Sequence, residues 1–117
     1  MNLRDTVSIL VTENRVVSRE AVPAKIYGAL AVHRDIVQGK RQLWKVSHVR
    51  SGLSIGGEMT LKAAIGMAKD LADLPAWHEP CVGNDQPTNA ATRPILDRLF
   101  LAVREARAFH TGAGVRA

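Results

Sequence analysis

Residues 43–55, which read LWKVSHVRSGLSI, decide the fold. From Gln42 to Val49 the side chains alternate between two faces, which is the two-residue period of a β-strand. Ser51-Gly52 then predicts a tight turn, because glycine readily adopts the positive φ that such turns require. Leu53 to Ile55 form a short further strand, so this stretch predicts a hairpin. One face of its first strand carries Trp44, Val46 and His48.

More strands are predicted upstream of this hairpin. Val22 to Arg34 alternates as one strand, with Pro23 at its start and Gly28 marking a bulge or a close approach of another backbone. Residues 6–17 favour a strand that turns back on itself, because β-branched side chains are dense there, although a short helix also fits their spacing. Residues 18–20 are expected to be a connector.

Two helices are predicted downstream. Thr60 is a suitable N-cap for a helix from Leu61 to Leu74, and a proline stops that helix. A proline- and glycine-rich loop over residues 76–89 leads to a second helix, which starts near Thr92 and runs to about His110. Its predicted core face consists of Ile95, Leu96, Leu99, Ala102, Val103, Ala106 and Phe109.

These patterns predict an α+β fold: a small antiparallel sheet of three to five strands, covered on one face by two helices. The chain has 117 residues, of which 46% are hydrophobic and 23% charged, as in a single globular domain. We expect that domain to span residues 1–112, with a frayed tail at 113–117. No apolar run approaches the ~18 residues that span a bilayer, and no secretory signal is evident. With a single cysteine, Cys81, these features predict a cytoplasmic protein without membrane contact.

The charge is unevenly distributed. The net charge is +5, and residues 34–50 alone hold five basic residues and one acid. A basic surface attracts phosphates or acidic partners, so this segment predicts a partner-binding hairpin. Trp44 is either an anchor at that interface or part of the sheet core, and the inward preference of tryptophan in half-buried sheets favours the core. The predicted partner-binding residues are Arg34, Lys40, Arg41, Trp44, Lys45, His48 and Arg50.

No catalytic or metal-binding motif has the required spacing. The chain lacks a phosphate-binding glycine loop, a nucleophile elbow and a zinc-type cysteine pair, so we expect no catalytic residue, cofactor or metal. His78 and Cys81 supply only two of the four ligands that a structural zinc needs. His33 and His48 lie on neighbouring predicted strands and could approach each other, which leaves a small histidine-based enzyme as one alternative.

The letters W-x-V-x-H-x-x-S-G-L-x-I, from Trp44 to Ile55, also carry a resemblance. Together with the preceding strand and the following Ala- and Lys-rich helix, they resemble small uncharacterised proteins of phages, plasmids and integrative elements in Gram-negative bacteria, over roughly residues 25–74.

Such elements commonly encode small proteins that block host defences, anti-CRISPR proteins among them. The resemblance implies a non-enzymatic inhibitor that binds a host protein or nucleoprotein complex in the bacterial cytoplasm, and it carries over no catalytic residue. Many anti-CRISPR proteins are acidic DNA mimics, a mode that the basic charge of this chain disfavours. The alternative is a basic nucleic-acid-binding regulator that uses the hairpin of residues 34–50.

Self-association is also expected, through the second helix. Phe100 and Leu101 are apolar residues outside its core face, and Phe100 lies beside arginines that include Arg104. Apolar and arginine side chains together are typical of a protein interface, and a two-fold homodimer is the symmetric solution. The alternative is that the loop over residues 76–89 folds back over Phe100 and Leu101.

Overall fold

The computed structural model describes residues 3–35, 42–83 and 89–112. It has a five-stranded antiparallel sheet packed against two helices, which confirms the predicted α+β class. Lys40, Arg41 and the predicted tail at 113–117 lie outside the described residues. The strands are β1 Asp5–Glu13, β2 Val16–Tyr27, β3 Leu30–Arg34, β4 Trp44–His48 and β5 Ser54–Met59; the helices are α1 Leu61–Leu71 and α2 Arg93–Thr111, with a short 3-10 turn at Pro75–His78 between them.

The sheet is a simple meander in which each strand pairs with the next along the chain. Residues 6–17 are strand and not helix, and the β1–β2 turn places Asn14 and Arg15 at positive φ, 51° and 65°. The predicted connector over residues 18–20 is wrong. Those residues continue β2 because they pair with β1 without interruption, Arg19 opposite Leu10.

Gly28 marks a hairpin turn. The prediction of one continuous strand over residues 22–34 is wrong, because Tyr27 pairs with Leu30 across a two-residue turn. Such a turn reverses the chain without breaking the apolar alternation, so periodicity alone does not reveal it. It also places Ile26 on the face opposite to Leu30, where one strand would have put them together. The predicted close approach is confirmed: at Gly28 a Cβ atom would lie 2.7 Å from the Ala72 carbonyl oxygen.

The main core lies between the helices and one face of the sheet. Trp44 and Val46 are buried there against Met67 and Leu71 of α1, as the alternation of β4 predicts. Thr60 caps α1 through a bond from the Ala63 N–H to its hydroxyl oxygen, at 3.2 Å. The helix ends at residue 71, earlier than predicted, and the chain turns through residues 72–74 into the 3-10 turn.

A second, smaller core lies on the opposite face of the sheet. The β1–β2 hairpin curls over that face until the Leu10 N–H donates to the Gly52 carbonyl at 3.0 Å. The curl buries a separate apolar cluster built on Val7, Ile9 and Ala31. Both faces of the central strands are therefore covered, one by helices and the other by the curled hairpin.

Helix α2 packs against α1 and β5 through a narrow face, on which only Leu99 is fully buried. Phe109 was predicted to be core and is 63% exposed. The inward position at this end belongs to His110, which contacts Gly66 and Asp70 of α1; its Nε2 lies 2.5 Å from Asp70 Oδ2. No helix among the described residues has the length and apolar character needed to cross a membrane.

Candidate partner-binding surface

Two members of the predicted basic hairpin belong to the core. Trp44 is 8% exposed and His48 2%, and both lie on the helix-covered face of β4. Trp44 therefore takes the core position that was one of its two interpretations. The Trp44 ring also makes a cation–π contact, because the Arg34 guanidinium lies 5.8 Å from the ring centroid. Neither Trp44 nor His48 offers a free surface to a partner.

Arg50 and Lys45 are engaged within the chain. The Arg50 Nη2 atom lies 3.1, 2.9 and 3.0 Å from the carbonyl oxygens of Trp77, Glu79 and Val82, so it clamps that segment to the end of β4. Lys45 forms an ion pair with Asp35 at 3.4 Å. Of the predicted basic set that the structure describes, Arg34 alone is an exposed cation without a hydrogen bond or ion pair.

His48 ties three segments together beneath the surface. Its Nε2 lies 3.1 Å from the Trp77 carbonyl, which can only accept, so this nitrogen carries the proton. Nδ1 then accepts from the Ser51 hydroxyl at 2.7 Å, and the same hydroxyl oxygen accepts from the Leu53 N–H. Burial lowers the pKa of His48 more than the hydrogen bond to the Trp77 carbonyl raises it, and the nearby positive charge of Arg50 lowers it further by a smaller amount. Both ring nitrogens of His48 and the Ser51 hydroxyl are thus hydrogen-bonded, and these bonds hold the turn between β4 and β5 in place.

His33 is satisfied in the same way on the other face of the sheet. Its Nε2 lies 2.8 Å from the Ser47 hydroxyl oxygen, and its Nδ1 lies 3.0 Å from the Arg34 carbonyl. Burial lowers the pKa of His33. His33 and His48 do not approach each other, because β3 and β4 turn them to opposite faces. Within the described part of the chain no three His, Cys, Asp or Glu side chains form a group suited to a metal ion.

An open apolar groove lies between the β4–β5 turn and α2. Its volume is about 210 Å³, with His48 and Ser51 at its base. Phe100 on α2 and Leu53 beyond the turn line it and are 61% and 42% exposed. Apolar side chains that line a groove and remain this exposed are typical of a binding surface. The apolar groove, as it is called below, is lined by Leu53, Ile55, Trp77, Leu96, Phe100 and Val103.

Cations border the apolar groove on α2. At 100° per residue, Arg93, Arg104 and Arg107 fall within about 40° of Phe100 around the helix axis. None of these guanidinium groups lies within ion-pair distance of a carboxylate of the described residues. Together with the exposed Phe100, they form an apolar centre with a basic rim.

The sequence indicated one side of this groove and missed the other. The helical pattern puts Phe100 and Leu101 outside the core face of α2, and in the structure they are 61% and 48% exposed. The described part of the loop over residues 76–89 leaves both open to solvent. Leu53 carried no local signal, because the groove forms only when α2 packs against a turn more than forty residues earlier in the chain.

Comparison with known proteins gives no relative. No family model, no curated protein and no solved structure matches the chain.

Proposed function

We propose that this protein is a non-enzymatic binding protein and that its apolar groove receives a side chain of a partner protein. The observation that carries the proposal is the exposure of Phe100 and Leu53 on the two walls of one groove. A solvated surface rarely keeps two large apolar side chains facing a shared cavity, because burying them is favourable. A partner that fills the groove would gain that free energy.

The rim defines the chemistry of the partner. Arg93, Arg104 and Arg107 surround Phe100 without a carboxylate partner among the described residues, so carboxylates on the other protein would complement them. Arginine and aromatic residues are also the types that most often dominate binding free energy at interfaces. We therefore infer a partner that presents an apolar side chain flanked by acidic residues.

The resemblance of residues 25–74 to small proteins of mobile elements supports a host defence complex as that partner. On this proposal the protein acts in the bacterial cytoplasm and blocks a complex such as a CRISPR effector by occupying one of its protein surfaces. The basic charge supports attachment to an acidic protein surface, in contrast to the imitation of DNA by an acidic inhibitor.

The test uses purified CRISPR effector complexes, with affinity and target cleavage measured for the wild type and two variants. Leu53→Asp puts a charge into the groove, and Val17→Asp makes the same kind of change at a 62% exposed site on the β1–β2 hairpin. Burying a leucine contributes about 1.5–3 kcal/mol, so Leu53→Asp should weaken binding by roughly tenfold to a hundredfold. Val17→Asp should bind and inhibit like the wild type. Equal binding by all three proteins would contradict a role for the groove.

The nucleic-acid alternative is tested in the same set of measurements. Binding to duplex DNA or RNA through the basic segment of residues 34–50 would weaken steeply with salt, by nearly one logarithmic unit per neutralised phosphate for each tenfold change. Such binding would be insensitive to Leu53→Asp. That pair of results would replace protein binding by nucleic-acid binding as the function.

A further inference from the structure

The outer side of α2 carries a second patch, distinct from the groove. Asp97, Phe100, Leu101 and Arg104 recur at intervals of three, four and seven residues, so they fall within an arc of about 100° on the helix. All four are exposed. Phe100 belongs both to the apolar groove and to this patch. We call these four residues the α2 strip.

The α2 strip is complementary to itself when reversed. An acid stands three residues before the apolar pair and a base stands three residues after it. If two copies of α2 run antiparallel about a two-fold axis between residues 100 and 101, Asp97 of each copy faces Arg104 of the other. Phe100 of each copy then faces Leu101 of the other. One register thus satisfies both charges and both apolar side chains.

We propose that a second copy of this chain docks on the α2 strip and forms an antiparallel, two-fold dimer. Charge selects this occupant. Asp97 and Arg104 form no ion pair with the described residues, and they give the strip one acid and one base. A strongly acidic or basic partner would leave one of them opposed by a like charge, whereas a second copy pairs both. Closed two-fold dimers are also the commonest soluble assemblies.

The α2 strip shares Phe100 with the groove and Arg104 with its basic rim, so a second copy and the proposed partner would compete for this side of α2. The dimer does not rest on the proposed function, because the association of the chain with itself is measured without any other protein. The experiment therefore avoids Phe100 and changes only the two charges, which are exposed and leave the fold intact. In a homodimer of Asp97→Arg, two arginines oppose each other at each of the two contacts between positions 97 and 104. In a homodimer of Arg104→Asp, two aspartates oppose each other at each of these contacts.

Sedimentation equilibrium of the full chain at several concentrations should show a dimer for the wild type. Each single variant alone should dissociate at concentrations roughly tenfold or more higher than the wild type, because like charges oppose across the interface. An equimolar mixture of Asp97→Arg and Arg104→Asp should recover the dimer, since every Arg then faces an Asp. Chains that carry both changes should also dimerise.

Three results would overturn the proposal. A wild type that stays monomeric up to millimolar concentration removes the dimer. A dimer that neither single variant weakens places the contact elsewhere on the molecule. Single variants that stay folded by circular dichroism and are weakened, but do not recover on mixing, exclude the antiparallel register.

Discussion

Replacing Arg50 by methionine tests whether this residue is a structural clamp or a binding cation. Its Nη2 atom lies within 3.1 Å of three carbonyl oxygens, but it carries two hydrogens, so the contacts amount to about two bonds. In the variant the Trp77 carbonyl still accepts from His48, and the Glu79 carbonyl still accepts from the Val82 N–H. Of the three carbonyls, only that of Val82 loses its hydrogen-bond donor.

Hydrogen bonds from a charged donor contribute about 1.5–3 kcal/mol each when they are shielded. Because Arg50 is partly exposed, we expect Arg50→Met to lower the free energy of unfolding by about 2 kcal/mol in total. That loss corresponds to a fall of roughly 1–2 M in the urea midpoint, measured by tryptophan fluorescence or circular dichroism.

Lys62→Met is the matched control, since it removes one positive charge from an exposed position on α1, and the Lys62 side chain has no hydrogen bond or ion pair within the described residues. Its unfolding midpoint should stay close to that of the wild type. If Arg50→Met and Lys62→Met unfold at the same urea concentration, the three carbonyl contacts contribute nothing and the clamp is refuted. Arg50 would then be available as part of a basic binding surface.

Three further perturbations test the buried histidines and two glycines at positive φ. The pKa values of His33 and His48 are lowered from 6.5 in the fold, so the unfolded chain binds more protons and stability should fall as pH drops below 6.5. A urea midpoint that stays constant from pH 7.5 to pH 5 would contradict this. Gly28→Ala combines left-handed strain at φ 55° with a 2.7 Å approach to the Ala72 carbonyl, and should cost about 2–4 kcal/mol in urea unfolding. Gly112→Ala, with φ 80° and no atom of the described residues within 4 Å of the added Cβ, should cost about 1–2 kcal/mol. Equal losses in the two variants would show that the contact of Gly28→Ala with the Ala72 carbonyl is relieved.

Local patterns were sufficient for the elements that settle the fold class. The alternation of β4 placed Trp44 and Val46 on the buried face, and Thr60 capped α1, because both signals depend on neighbours within a few residues. The alternation through Gly28 led to the wrong prediction of one continuous strand, since a two-residue turn preserves the apolar period while it reverses the chain. The curl that brings Leu10 to Gly52 depends on sheet geometry, to which no single segment points.

The candidate site was harder to predict, because charge and exposure are decided by packing. Residues 34–50 hold most of the basic excess, yet within the fold Arg50 donates to backbone carbonyls and Lys45 pairs with Asp35. These partners lie 10 to more than 30 residues away along the chain, so counting charges could not reveal that they are paired. On α2 the error is in the opposite direction. The amphipathic pattern predicts a broad core face, whereas the helix buries only Leu99 completely.

The distribution of engaged and unengaged side chains therefore moves the expected interface from the β3–β4 hairpin to α2. A cation that already donates to backbone carbonyls must break those bonds to reach a partner, whereas the arginines beside Phe100 have no described carboxylate to give up. Likewise, Phe100 is 61% exposed and can still gain the free energy of apolar burial from a partner, whereas Trp44 has already gained it in the core. Binding at α2 thus adds contacts without taking any from the fold, and for that reason α2 is the better candidate surface although the hairpin has the higher charge density.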